Sequence, residues 1–178
     1  GGDETPVGGP NPRAGNLYGQ ILRWRPLGGD HTANGFNWDL FVLAGNPTVH
    51  QGLEAGSDNI NADNLFNSPD GIAFDPDGRL WIQTDGKYTN EGDFAGMGNN
   101  QMLVGDVETG EIRRFMVGPR SCEITGITWS KDYRTMFIGV QHPGEKEAFT
   151  SNFPGGAETT PRSSVIAVHR DDGGVIGS

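Results

Sequence analysis

Apolar positions along the chain come in short runs, many alternating with polar ones. Such runs fit Tyr18–Trp24, Phe36–Ala44, Gly71–Phe74, Leu80–Thr84, Gln101–Val107, Glu111–Val117, Ile124–Trp129, Met136–Val140, Ser164–His169 and Gly174–Ile176. Alternation with a period of two buries one face of a strand, whereas a helix needs a period of 3.6, which the chain almost nowhere shows. Between the runs stand Asp77-Gly78, Thr109-Gly110, Asp132-Tyr133 and Asp172-Gly173, residues that make tight turns at low steric cost. The pattern predicts an all-β chain of ten short strands.

Two stretches repeat. The segment DGIAFDPDGRLWIQTDG from Asp70 aligns with TGITWSKDYRTMFIGVQH from Thr125 once one inserted residue is allowed. Gly71 then falls on Gly126, Ile72 on Ile127, Phe74 on Trp129, and Leu80-Trp81-Ile82 on Met136-Phe137-Ile138. Each copy is followed by a second hairpin pattern, QMLVGDVETGEIRRFMV and SSVIAVHRDDGGVI. Four-stranded units in series are the mark of β-propeller blades. The runs at Tyr18–Trp24 and Phe36–Ala44 then form the outer half of a preceding blade, for about two and a half blades in all. Residues 1–16 read as a linker or cut interior segment and 17–178 as the blades. An open arc leaves the faces of its end blades uncovered, so either further chain or self-association is expected to hide them.

Composition narrows the chemistry. The 178 residues include 29 Gly and 11 Pro, which punctuate the runs rather than form tracts. A formal net charge of −10 argues against a nucleic-acid surface, which needs clustered Lys and Arg. Cys122 is the single cysteine, so neither an internal disulfide nor a cysteine-based zinc site can form. No apolar run approaches the roughly 18 residues of a membrane helix, and the start shows no signal-peptide pattern. The segment DNINADNLFNSPDG lacks the carboxylate spacing of an EF-hand, and no P-loop, G-x-S-x-G or zinc signature is present.

In GPRSCEITGITWS, Arg120, Cys122 and Glu123 stand directly before an apolar strand, where the first strand of a blade meets a central channel. Asp70 holds the equivalent place one repeat earlier: it can ligate calcium or cap its own turn, and the sequence favours the cap. Asp85 reads as a turn former, and Arg162 as structural.

Five stretches taken in order, NPRAGNLYGQILRW, DHTANGFNWDLFVLAGNP, SPDGIAFDPDGRLWIQTDG, CEITGITWSKDYRTMFIGVQHPGE and PRSSVIAVHR, resemble the C-terminal part of PhoX-type alkaline phosphatases, over about Asn11 to Gly177. The resemblance implies a six-bladed propeller that hydrolyses small phosphate monoesters outside the cytoplasm, in the periplasm or beyond, after export by a twin-arginine signal. It implies calcium and iron as cofactors at the channel mouth, and upstream segments, including a Cys-Glu-Glu stretch of metal ligands, that this sequence does not carry. It also makes Glu123 a metal ligand and Arg120 a phosphate-gripping catalytic residue, the guanidinium being suited to two phosphoryl oxygens at once. Asp70, from its place at the preceding strand mouth, is the second candidate metal ligand. His142 and Glu145 in QHPGE match the family, although a loop His more often serves hydrogen bonding. Cys122 receives no role: a lone Cys beside a strand is usually a small buried hydrophobe. Two other functions share parts of the pattern. Calcium-dependent lactonases carry PDG…LW repeats but lack the ordered DLFVLAGNP and QHPGE stretches, and propellers also serve as plain binding scaffolds.

Overall fold

A computed structural model describes residues 6–146 and 150–178. Nine strands run in chain order: β1 Gln20–Pro26, β2 Phe36–Leu43, β3 Pro69–Phe74, β4 Leu80–Thr84, β5 Gln101–Gly105, β6 Ile112–Val117, β7 Glu123–Trp129, β8 Thr135–Gln141 and β9 Ser164–His169. Three short 3-10 turns, Leu27–Gly29, Gly52–Ala55 and Gly92–Phe94, lie between the strands. The all-β expectation holds.

The strands form three antiparallel sheets, ordered β1-β2, β3-β4-β5-β6 and β7-β8-β9. Side-chain alternation in the middle sheet holds them together. Leu80 and Ile82 of β4 and Leu103 of β5 join Ile21, Phe41 and Val42 of the first sheet in one core cluster. Trp81 and Met102, on the opposite face, join Ile124, Met136, Ile138 and Val140 of the third sheet in a second cluster. Every residue of β4 is buried, because both faces of the strand are covered. The period of two thus packs the middle sheet between its neighbours. Trp81 anchors the second seam, edge-on to Phe115 at 4.9 Å and to Trp129 at 6.4 Å between ring centroids.

The sequence repeat is a repeat of pairing register. Ile72 pairs with Ile82 and Phe74 with Leu80, as Ile127 pairs with Ile138 and Trp129 with Met136. Both hairpins shift register at the corresponding place, between Pro69 and Ile72 and between Thr125 and Ile127. The inserted residue falls in the turn of the second hairpin. Gly126, at φ +56°, adopts the left-handed backbone that such a bulge favours.

The tenth run does not form a strand. Gly173, at φ +70°, turns the chain, and the Ile176 amide donates to the Tyr133 carbonyl at 3.1 Å rather than to β9. Ile176 is buried in the second cluster, so its apolarity serves as a plug and not as part of a ladder. The third sheet therefore has three strands among the described residues. In the segment read as a linker, Asn11, Arg13 and Asn16 are buried, and Arg13 donates to the carbonyls of Ala44, Leu53 and Gly19.

Candidate active site

The loop between β6 and β7 is folded tightly onto its neighbours. The Gly118 amide donates to the Asn100 carbonyl at 2.8 Å, and a Cβ on Gly118 would lie 2.5 Å from the Cys122 sulfur. Only glycine fits there. Ser121 sits at φ +57°, a conformation that costs a non-glycine residue energy and needs support. Support comes from Asn99, whose Oδ1 accepts the Ser121 amide at 3.0 Å. Glu123, the first residue of β7, leaves the loop directly opposite Gln141, the last residue of β8.

That pairing fixes the carboxylate. Glu123 is 8% exposed. Its Oε2 accepts from Gln141 Nε2 at 2.5 Å and faces His142 Nε2 at 3.4 Å. Its other oxygen carries no hydrogen bond among the described residues. His142 lies at φ +38°, with its amide donating to Ser163 Oγ at 2.8 Å. Its Nδ1 lies 3.9 Å from Glu145 Oε2, too long for a hydrogen bond. The loop that follows docks on the first one, with the Gly144 amide donating to the Arg120 carbonyl at 3.0 Å and the Glu145 amide to that of Ser121 at 3.4 Å. The Arg120 side chain is exposed and makes no ion pair or hydrogen bond among the described residues. The two docked loops thus carry a free guanidinium, a buried carboxylate with one oxygen unengaged, an imidazole and a second carboxylate.

Asp70 is elsewhere. It is exposed on β3 and lines an open cleft of about 520 Å³ with Asn11, Asn16, Gln20, Ser68 and Asp85. Neither the Asp70 nor the Asp85 carboxylate is hydrogen-bonded among the described residues, so the Asp70 side chain does not cap its own turn. Asp70 and Glu123 stand at successive strand mouths, and the side chains around Glu123 do not include Asp70. Arg162 is exposed.

Three residues of this arrangement carried no assigned role in the sequence: Gln141, Asn99 and Asn100. Gln141 was readable as the partner of Glu123 once the hairpin register was set. The Asn99-Asn100 dipeptide ahead of β5 gave only the ordinary signal of a loop.

A model of the alkaline phosphatase PhoX family matches residues 1–144. The chain belongs to the PhoX alkaline phosphatase family. A solved structure, Pseudomonas fluorescens PhoX in complex with vanadate, a transition state analogue, is 61% identical to it and superposes with a TM-score of 0.93. That alignment covers 98% of this chain and 30% of the Pseudomonas protein, so the chain spans about a third of that relative's length. Among curated proteins no significant match was found.

The donor set of this PhoX-family chain suits hard cations in part. Glu123, Asp70 and Asp85 each offer carboxylate oxygen with no hydrogen bond to lose, the ligand type that calcium takes. Among the described residues no three His, Cys, Asp or Glu side chains cluster closely enough to hold a metal alone. Cys122 does not fit a thiolate role: burial pushes its thiol up to about 12, against a lesser opposing hydrogen bond from Asn99.

Proposed function

We propose that this chain forms part of the active site of a metal-dependent phosphatase that hydrolyses phosphate monoesters, with its three sheets as consecutive blades of a propeller. The observation that carries the reading is the juxtaposition of Arg120 and Glu123 across one turn, in a chain 61% identical to a vanadate-bound PhoX. Vanadate takes up five oxygen ligands, as phosphorus does during displacement.

Hydrolysis forms a bond from a water oxygen to phosphorus and breaks the ester P–O bond, releasing the alcohol and phosphate. Arg120 faces solvent with its donors free and binds two phosphoryl oxygens side by side, offsetting their charge. Glu123 presents its unengaged oxygen to a hard cation, while Gln141 and His142 hold the other and fix the carboxylate's orientation. Asp70 supplies a cation ligand at the neighbouring mouth. Glu123 and Asp70 would help hold cations, calcium and iron by the family resemblance, which when bound would polarise phosphoryl oxygens and make water more acidic. The remaining ligands come from other parts of the complete polypeptide, which works outside the cytoplasm.

The test is turnover of p-nitrophenyl phosphate by the complete polypeptide carrying this sequence, with and without a chelator. Release of nitrophenol that the chelator abolishes and added metal restores is the expected result. Lactone hydrolysis without phosphatase activity, or neither activity in the metal-loaded protein, would overturn the reading.

A further inference from the structure

Asn99 and Asn100 stand just ahead of β5, outside the groups assigned to chemistry, yet their side chains reach both strand mouths. Asn100 is 3% exposed and uses its amide fully. Its Oδ1 accepts from Thr84 Oγ1 at 3.0 Å and from the Gly86 amide at 2.8 Å, at the end of β4 beside Asp85. Its Nδ2 donates to the Gly86 carbonyl at 3.3 Å and to the Cys122 carbonyl at 2.9 Å, next to Glu123. Asn99 completes the hold on the second mouth. Besides accepting the Ser121 amide, it turns its amide hydrogens toward the carbonyls of Gly118 and Pro119 and the Cys122 sulfur. Two adjacent amides thus bind the loop carrying Arg120 and Glu123 at several points and tie it to the end of β4.

We propose that the Asn99-Asn100 pair is a positioning element of the active site, tying the Arg120–Glu123 loop to the end of β4 so that Arg120 keeps its placement toward a phosphoryl group and Glu123 toward a cation. The proposal rests on the phosphatase reading above. Side-chain amides suit the task because they satisfy donors and acceptors together and add no charge beside metal ligands. Ser121 shows what they oppose: a left-handed serine relaxes if its amide loses its partner.

The experiment compares Asn99→Ala with the unsubstituted complete polypeptide, Asn99 being half-buried so that the variant removes the hold without opening the core. KM for p-nitrophenyl phosphate and the inhibition constant of inorganic phosphate are expected to rise about 10- to 100-fold, the scale of a small displacement of binding groups. The fall in kcat is expected to be smaller. Hydrogen exchange should quicken in residues 118–123 and stay slow in β5. Damage to folding alone would lower kcat per total enzyme and leave KM in place, a result that overturns the proposal. Unchanged exchange in 118–123 overturns it as well. If the unsubstituted polypeptide has no phosphatase activity, the functional reading fails and exchange alone decides the hold on the loop. Should Asn99→Ala not fold, Asn99→Ser is read by the same two measurements.

Discussion

At the residue scale, Arg120 and Cys122 share one turn and differ in everything that matters for reactivity. Arg120 projects into solvent with its donors free, whereas the Cys122 thiol is buried and held protonated up to about 12. Cys122 is therefore expected to stay unmodified by a thiol-specific disulfide reagent at pH 8 in the folded chain and to react fully after unfolding. Reaction of the folded chain at the unfolded rate would contradict the burial. Because the thiol is raised in the folded state, its contribution to stability is complete below the unfolded pKa of about 8.5. It is lost as pH rises toward 12, at up to about 1.4 kcal/mol per pH unit for one proton. For Arg120→Lys in the complete polypeptide, KM is expected to rise and kcat to fall, since one ammonium cannot replace a two-pronged grip. Unchanged constants in steady-state kinetics would remove Arg120 from phosphate binding. Arg120 and Glu123 drew notice because charges before an apolar run are conspicuous, and the family resemblance supplied their proposed roles. Gln141 and the two asparagines were not, because an amide acquires meaning only from what folding places beside it.

At the element scale, the hairpins were legible where turn residues and alternation agree, as in β4 and β9, whose bounds match the sequence reading. The reading failed at Gly174–Ile176, where a buried Ile signalled apolar surroundings without specifying a ladder. The turn between β3 and β4 shows how such a hairpin is locked. Asp75, nearly fully buried, accepts from Arg79 Nε at 2.7 Å and from Trp81 Nε1 at 3.0 Å. Burial alone would raise the Asp75 carboxyl, but the Arg79 guanidinium, the Trp81 indole and the Arg79 amide together hold it below the ordinary carboxylate range. Its stabilising contribution is thus present above the unfolded pKa of about 3.9 and disappears as pH falls through the lower folded value. Asp75→Asn is expected to cost about 2–4 kcal/mol in chemical denaturation at pH 7, leaving Arg79 and Trp81 poorly matched. The gap from the unsubstituted chain should narrow as pH falls below 4. An equal gap at pH 7 and pH 3 would contradict the ionised pairing.

At the scale of the whole molecule, three sheets share two apolar seams, and large apolar side chains stay exposed on each sheet. Trp24 and Phe74 are more than 60% exposed, Phe36 and Trp38 about half, and Val165 more still on the last sheet. Scattered apolar residues are ordinary on a surface, but Trp24, Trp38 and Phe36 lie on one two-stranded sheet, with Trp24 paired to Trp38. The isolated 178-residue chain is therefore expected to bind a hydrophobic dye and to self-associate with rising concentration in sedimentation velocity. A monodisperse monomer without dye binding would contradict that expectation. The sequence reading expected uncovered end faces because it counted strands, whereas the placement of Asp70 apart from Glu123 depends on how successive sheets are set and was beyond it. The central claim, that the Glu123 carboxylate serves phosphoryl chemistry, is tested most directly by p-nitrophenyl phosphate turnover of Glu123→Gln in the metal-supplied complete polypeptide. The account predicts loss of at least about a thousandfold in kcat, the scale of removing a principal electrostatic group, with the melting temperature nearly unchanged. Turnover at the unsubstituted rate would contradict it.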